Sequence, residues 1–460
     1  MKVLLVEPDF PYPNKSKHQA NKVHRNFVPV GLLKLGTFYQ NRGAQVKLVR
    51  GEHIKREIGF VPTSILVTSI FTYWSDCVWR AVSHYRALFP HAEIIVGGIY
   101  VTLHHRRAYF RRMLAQYDAR CHVGLHSGAE AVRPDYTLLE SGVDHHVTHA
   151  MRGCIRRCSF CGTWRIEPRR YDKPVERLVE EIVAVGKARV LFFDNNFLAH
   201  GDVETMLTEL AKVRVKGRPV SYESQSGFDG RLLQRKPELA ELLKKANFKN
   251  VRIAWDSGFA GHRAIRRQID ILNGAGYRPE SVAVFMIYNH DTAYEEMLRK
   301  VEKCKEWGVQ INDCRYRPLD AQHDNYNSRK YQTGQTDEDY HIHACAGWTD
   351  AKVRDFRRRV RRHNIWVRYA KARGEGYDRN MERWSDIHNT FKFFGLDRPP
   401  AYELMENSPT WKRRIHVMKR LRNFMKRREI MAISLEGLGG CAMDCALDET
   451  CRLLGVDTAL

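Results

Sequence analysis

Over the first 120 residues short apolar runs alternate with longer amphipathic stretches, a rhythm that predicts strands joined by helices. Val3–Val6 reads as a buried strand, Gly31 to Phe38 as the start of a helix, and Val46–Val49 as a second strand. Ser64–Ser69 follows as a strand, then a helix through Trp79, Ala81, Val82 and Tyr85, and Ile94–Val96 leads into Gly97-Gly98. Such units imply an α/β fold with a parallel, Rossmann-like doubly wound sheet, assigned to residues 1–143. Sheets of this kind bind ligands at the carboxyl ends of their strands, where Ser69 and the Gly97-Gly98 pair lie.

A second run of strand–helix units begins near Asp144. Val147–Met151 is predicted as a strand opening directly into a cysteine cluster, and Leu178, Val179, Ile182 and Val183 stand at helical spacing within Val175–Val185. Strands at Val190–Phe193, Val220–Glu223, Val251–Ala254 and Val282–Ile287 alternate with helices at Val203–Val213, Glu238–Lys245, His262–Leu272 and Tyr294–Trp307. Five or six units in one direction predict a full or partial (βα)6 barrel over 144–320, with its active site at the strand C-termini. Residues 321–350 are polar and turn-rich and read as a long loop over the barrel mouth. A basic, mainly helical region completes 321–460, with helices near Asp350–His363 and Trp411–Ile430.

Charge and targeting signals narrow the class. The start is too short an apolar run for a signal peptide, and no apolar run is long enough to span a membrane, so a cytoplasmic protein without membrane partners is expected. A formal charge of +23 favours anionic partners such as nucleic acid (RNA among them), phosphorylated metabolites or other anionic substrates, or a membrane surface, and composition does not choose among them. No RNA-binding module signature is present, and the arginine-rich faces around Arg357–Arg362 are equally compatible with a solvated surface.

Chemistry concentrates in Arg152-Gly153-Cys154-Ile155-Arg156-Arg157-Cys158-Ser159-Phe160-Cys161. Three thiolates separated by three and then two residues wrap a compact cluster from one loop, whereas a closed zinc site needs a fourth ligand that the motif does not supply. Gly153 allows a sharp turn as the strand ends. Arg152, Arg156, Arg157 and Arg165 are expected to surround the anionic cluster and raise its reduction potential. A zinc knuckle with a distant fourth ligand is the plain alternative.

The loop resembles the C-x3-C-x-aromatic-C signature of the radical S-adenosylmethionine superfamily. The resemblance implies a [4Fe–4S] cluster on Cys154, Cys158 and Cys161 whose open iron chelates S-adenosylmethionine. One electron, from a donor such as flavodoxin or ferredoxin, would then yield a 5′-deoxyadenosyl radical. By the same resemblance Phe160 lies near the adenine, and Asp194 or Asn195 lies beside the methionine amino group. Glu223, Gln225 and Ser226 correspond to ribose-binding polar groups, and Asp256 stands where a strand-end glutamate is usual. A glycine often found after the fifth strand is Tyr288 here, which is placed suitably for substrate, as is the 321–350 loop.

A doubly wound sheet ahead of the cysteine loop resembles the cobalamin-binding subgroup of that superfamily. The resemblance implies a corrinoid near Ser69, Gly97 and Gly98, approached closely by side-chain-free backbone, and methyl transfer to an unactivated carbon. The Asp-x-His-x-x-Gly motif of some cobalamin proteins is absent; His18 and His24 lie outside that context. With only Cys77 and Cys121 in the N-terminal part, the three-cysteine second cluster of methylthio-transferring enzymes is missing. Rearrangement, cyclisation or oxidation without methyl transfer is the alternative chemistry, and a nucleic-acid-binding protein with a structural cluster is the alternative class. Cys441, Cys445 and Cys451 ligate an auxiliary cluster or metal, with Cys345 or Cys314 as a distant fourth ligand, or else Cys445 and Cys451 are small buried residues of a C-terminal helix.

Overall fold

The computed structural model describes residues 1–11, 27–324, 326, 340–369, 381–396, 408–428 and 430–457. His18, His24 and most of the 321–350 loop therefore lie outside the described residues. The chain forms two compact units. The first takes residues 1–10, 28–300 and the described part of 312–354; the second takes 301–311 and the described residues from 355 onward.

The first unit opens with β1 (Lys2–Glu7), α1 (Val30–Gln40), β2 (Gln45–Arg50), β3 (Ser64–Ser69), α2 (Ser75–Leu88), β4 (Glu93–Gly98), α3 (Ile99–His104) and β5 (Ala119–Cys121). The five strands form one parallel sheet in the order β2-β1-β3-β4-β5. Val3, Leu4, Leu5, Val6, Ile65 and Val67 are buried almost completely, as continuous apolar runs in a sheet covered on both faces should be. The strand order reverses between β1 and β3, which opens a crevice beyond their carboxyl ends.

Next come β6 (His146–Thr148), α4 (Val175–Val185), β7 (Arg189–Phe192), α5 (Val203–Lys212), β8 (Ser221–Ser224), α6 (Glu238–Lys245), β9 (Arg252–Ala254), α7 (His262–Gly274), β10 (Ala283–Tyr288), α8 (Tyr294–Trp307) and β11 (Gln310–Arg315). β6, β7 and β8 pair side by side and parallel, and β9, β10 and β11 form a second sheet. Isolated parallel bridges at Tyr222–Phe248 and Phe228–Ile253 link β8 to the β9 region, so the six strands follow one another in chain order. Phe192, Phe197, Tyr222, Phe228 and Phe248 fill the space between them, with Phe192 and Phe248 stacked at 5.9 Å between ring centroids. The molecule is thus a mixed α/β fold built on parallel sheets.

One predicted strand is shorter than expected. Val147–Met151 does not run straight into the cysteine loop: β6 ends at Thr148, and Met151–Arg152 pairs antiparallel with Tyr171–Asp172. The cause is Asp194, whose carboxylate accepts the Ala150 N–H at 3.0 Å and the Met151 N–H at 2.6 Å and draws that backbone out of the ladder.

In the second unit Trp366, Phe391, Phe394, Met418, Leu421, Met425 and Leu447 form one apolar core. All but Phe394, which directly follows α10, come from α9 (Asp350–Tyr369), α10 (Met381–Phe393), α11 (Pro409–Arg427) and α12 (Gly440–Leu454). His363 Nε2 lies 2.7 Å from the Val309 carbonyl, and Asn364 Nδ2 donates to the Ile311 carbonyl at 2.7 Å, holding α9 to 301–311. No helix among the described residues is long and apolar enough to cross a membrane.

Candidate functional site

The cysteine loop is anchored before it presents any thiol. Gly153 has φ +77, and a Cβ there would stand 3.0 Å from the Arg169 carbonyl and 3.2 Å from that of Glu167, so the turn requires glycine. Its N–H donates to Glu167 Oε2 at 2.6 Å. Glu167 also takes Arg152 Nη1 at 3.1 Å and Asn195 Nδ2 at 3.0 Å. Arg152 grips Glu130 through Nε at 2.9 Å and Nη2 at 2.8 Å, and Lys34 of α1 approaches Glu130 at 3.6 Å. A line of alternating charges thus runs from the N-terminal sheet's first helix to the root of the loop.

Cys154, Cys158 and Cys161 are all free thiols of intermediate exposure. Cys154 Sγ accepts the Arg156 N–H at 3.3 Å and faces Asn196 Nδ2 at 3.6 Å; Cys161 Sγ lies 3.5 Å from the Thr163 N–H. Burial pushes the Cys158 thiol up, and Cys161, Asp256 and Cys154 push it further, while Arg231 opposes them. Three thiols of one loop sharing a field, with N–H donors on two sulfurs, form a donor set suited to a cluster that is held through three irons.

The other expected residues divide. Asp256 joins the cysteines; burial pushes its carboxyl up to about 6 against the pull of Lys300 and Arg231. Asn195 is also adjacent, through Thr163 Oγ1 at 3.1 Å. Asp194 sits beneath the loop, completely buried, with both oxygens on backbone N–H groups. Glu223 is almost fully buried and engaged by Arg252, by Arg189 at 3.6 Å and by Asn250 Nδ2 at 2.8 Å. Gln225 Nε2 donates to the same carboxylate at 3.2 Å, whereas Ser226 is exposed. Tyr288 is buried beside Trp348 with 5.9 Å between ring centroids, which makes it a packing residue and not a surface for substrate.

The arginines differ from the expected ring of free cations. Arg152 is spent on Glu130 and Glu167, and Arg156 on Asp229 at 2.9 Å; Arg157 and Arg165 are exposed, with Arg165 lying over Trp164 at 4.6 Å. Their combined pull on a bound cluster is correspondingly reduced, because each paired guanidinium brings its own carboxylate.

At the N-terminal sheet, Ser69 Oγ donates to the Gly97 carbonyl at 2.7 Å and is buried. A Cβ on Gly98, which has φ +103, would fall 2.1 Å from the Ser69 carbonyl oxygen. That glycine therefore serves the close pairing of β3 with β4. Gly97 is the roomier of the two: a Cβ there would meet only His122, at 3.8 Å. Cys441 and Cys445 are exposed on α12, while Cys451 is buried in the second unit's apolar core.

Sequence reasoning missed Glu167, Thr163 and Asn196, whose polar side chains carry no spacing signal, and it gave no role to His290 or Tyr316. Phe160 meets the His290 ring edge-on at 5.8 Å, and His290 stacks on Tyr316 at 4.1 Å. A cavity of about 220 Å³ lies alongside, lined by Ser159 and Arg165 of the loop region, His104 and Arg107 near α3, and Tyr316 and Asp320. Burial raises the Cys314 thiol on β11, and Asp313 and then Asp256 add to the rise.

Residues 148–312 match the family model described as Radical SAM superfamily, so the chain carries a radical SAM domain over that stretch. No curated protein matches the sequence. Among solved structures, SuiB of Streptococcus suis, determined bound to S-adenosylmethionine, aligns with 41% of this chain and 43% of its own at 15% identity, with a TM-score of 0.29. The carboxyl transferase domain of Rhizobium etli pyruvate carboxylase, determined with pyruvate, aligns with 94% of this chain and 62% of its own at 12% identity, with a TM-score of 0.22. The chain thus spans less than two thirds of either protein, and likenesses at these scores carry no argument.

Proposed function

We infer that this protein is a radical S-adenosylmethionine enzyme whose cluster is held by Cys154, Cys158 and Cys161. The observation that carries the inference is the three-thiol loop inside the matching domain, with Cys158 under the influence of both other thiols. When bound, a [4Fe–4S] cluster supplies one electron to S-adenosylmethionine and so yields the 5′-deoxyadenosyl radical. The chain's own residues set the conditions. Asp194 and Glu167 stiffen the loop from beneath through backbone N–H groups. Phe160 offers an aromatic edge for the adenine, and Asp256 and Asn195 offer polar contacts beside the thiols. The exposed Arg157 and Arg165 give an anionic substrate a cationic approach, and the reductant is a small electron-transfer protein such as flavodoxin or ferredoxin.

The finer reading is methyl transfer through a corrinoid at the carboxyl ends of β1 and β3. The reversal of strand order there supports it, as does the space over Gly97. The test is anaerobic reconstitution followed by dithionite and S-adenosylmethionine. Cleavage to 5′-deoxyadenosine is expected, falling at least 100-fold in Cys154→Ala, Cys158→Ala or Cys161→Ala, about what loss of an essential cofactor ligand gives. Undiminished cleavage in any of the three would overturn the assignment. Corrinoid extracted from the purified protein supports methyl transfer, and its absence after growth with cobalamin favours radical rearrangement, cyclisation or oxidation.

A further inference from the structure

Three side chains meet at the carboxyl ends of β10 and β11: the sequence neighbours His290 and Asp291, and His343 from a distant stretch of the chain. One ligand atom from each lies within 4.8 Å of the other two. His290 Nε2 stands 3.5 Å from Asp291 Oδ2, and His343 Nε2 stands 3.5 Å from Asp291 Oδ1. These separations are too long for charge-assisted hydrogen bonds, which run at about 2.7–2.9 Å. They match the edge of a coordination polyhedron: donors about 2.0–2.1 Å from a tetrahedral ion lie about 3.4 Å apart.

The supporting structure is more ordered than a chance surface cluster needs. Asn289, completely buried and at φ +57, takes the His343 N–H on Oδ1 at 2.9 Å. Its Nδ2 donates to the His341 carbonyl at 3.0 Å, and Arg315 Nη2 donates to the same carbonyl at 2.9 Å. One side chain therefore pins the 341–343 segment against the residue preceding His290. Non-glycine residues enter the left-handed region rarely, asparagine more readily than most, so this position is costly for anything else. The imidazoles themselves lack ordinary partners. Among the described residues His290 Nδ1 and His343 Nδ1 are buried with no hydrogen bond, and so is Nε2 of His341, whose ring lies 6.1 Å from that of His343. The nitrogens that face Asp291 are the Nε2 atoms of His290 and His343, and these are the donors available to an ion beside the carboxylate.

We propose that His290, Asp291 and His343 bind a divalent first-row transition-metal ion. Two imidazoles and one carboxylate leave coordination positions open, which suits an ion that also holds oxygen donors of a substrate. Because His290 contacts Phe160 and Tyr316, such a substrate would be held next to the cysteine loop and the neighbouring cavity. The ion is separate from the iron–sulfur cluster and does not depend on the radical assignment.

The test uses the full chain carrying Cys154→Ser, Cys158→Ser and Cys161→Ser, so that loop thiolates contribute nothing. Titration with Co²⁺ alone should give one equivalent bound, with visible ligand-field absorbance and no thiolate charge-transfer band. Asp291→Asn, at an exposed position, and His290→Ala should each weaken binding at least tenfold, with circular dichroism unchanged. Equal Co²⁺ affinity in these variants, or uptake with thiolate charge transfer only, would overturn the proposal. Either result leaves the S-adenosylmethionine cleavage assay with the native cysteines unaffected, so the two assignments fail separately.

Discussion

Asp194 illustrates how a residue next to reactive chemistry can act through the backbone. Its carboxylate is fully buried on the Ala150 and Met151 N–H groups, and burial pushes it up to about 7. In the unfolded chain an aspartate titrates near about 3.9. The folded state therefore keeps the proton longer, and unfolding releases up to about one proton between about pH 4 and pH 7. The stability from the protonated form is complete below that window and is lost as pH rises through it. Asp194→Asn should flatten this part of the curve. Urea unfolding of the metal-free protein at several pH values checks it; identical slopes in both proteins would mean that Asp194 ionises normally. Residues of this kind are hard to recognise from sequence. Asp194 stood out as acidic at a strand end, yet nothing in Phe192-Phe193-Asp194-Asn195 says that the side chain turns under the loop rather than toward a ligand.

Elements were legible where burial imposes a period. Val175–Val185 has Leu178 and Ile182 buried and its ends at the expected residues, and Ser64–Ser69 is likewise found as anticipated because an uninterrupted apolar run has few other uses. Gln310–Arg315 escaped notice: Gln-Ile-Asn-Asp-Cys-Arg shows neither an apolar run nor clean alternation, and only Ile311 in it is fully buried. The cysteine trio was readable because one loop carries it, whereas His343 is brought to the His290-Asp291 pair only by folding. The glycine pair that ends β4 was recognised as special, but the reason for Gly98 is internal to the sheet. Gly98→Ala would drive a methyl into the Ser69 carbonyl from a left-handed backbone, so the pairing of β3 with β4 must open. A loss of about 2–4 kcal/mol is expected, larger than for Gly97→Ala, and chemical denaturation of the two variants measures it.

At the scale of the whole molecule, every residue assigned to the cysteine-loop site falls within one compact unit. The second unit has its own apolar core, including Met418, Leu421 and Leu447. A ligand stabilises only what folds around it, by about 2.7 kcal/mol at a hundredfold excess over its dissociation constant. S-adenosylmethionine added to the reconstituted protein should therefore delay thermal proteolysis within residues 28–300 while leaving the helices after residue 408 as susceptible as before. Peptide mapping on heating reads this directly; equal protection of both regions would mean that they unfold as a single cooperative body.

The charges joining Lys34, Glu130, Arg152 and Glu167 end on the amide of Gly153, at the hinge of the thiol-bearing loop. Mechanically, three ion pairs and one hydrogen bond tie α1 to the turn that opens the loop as a single train of parts.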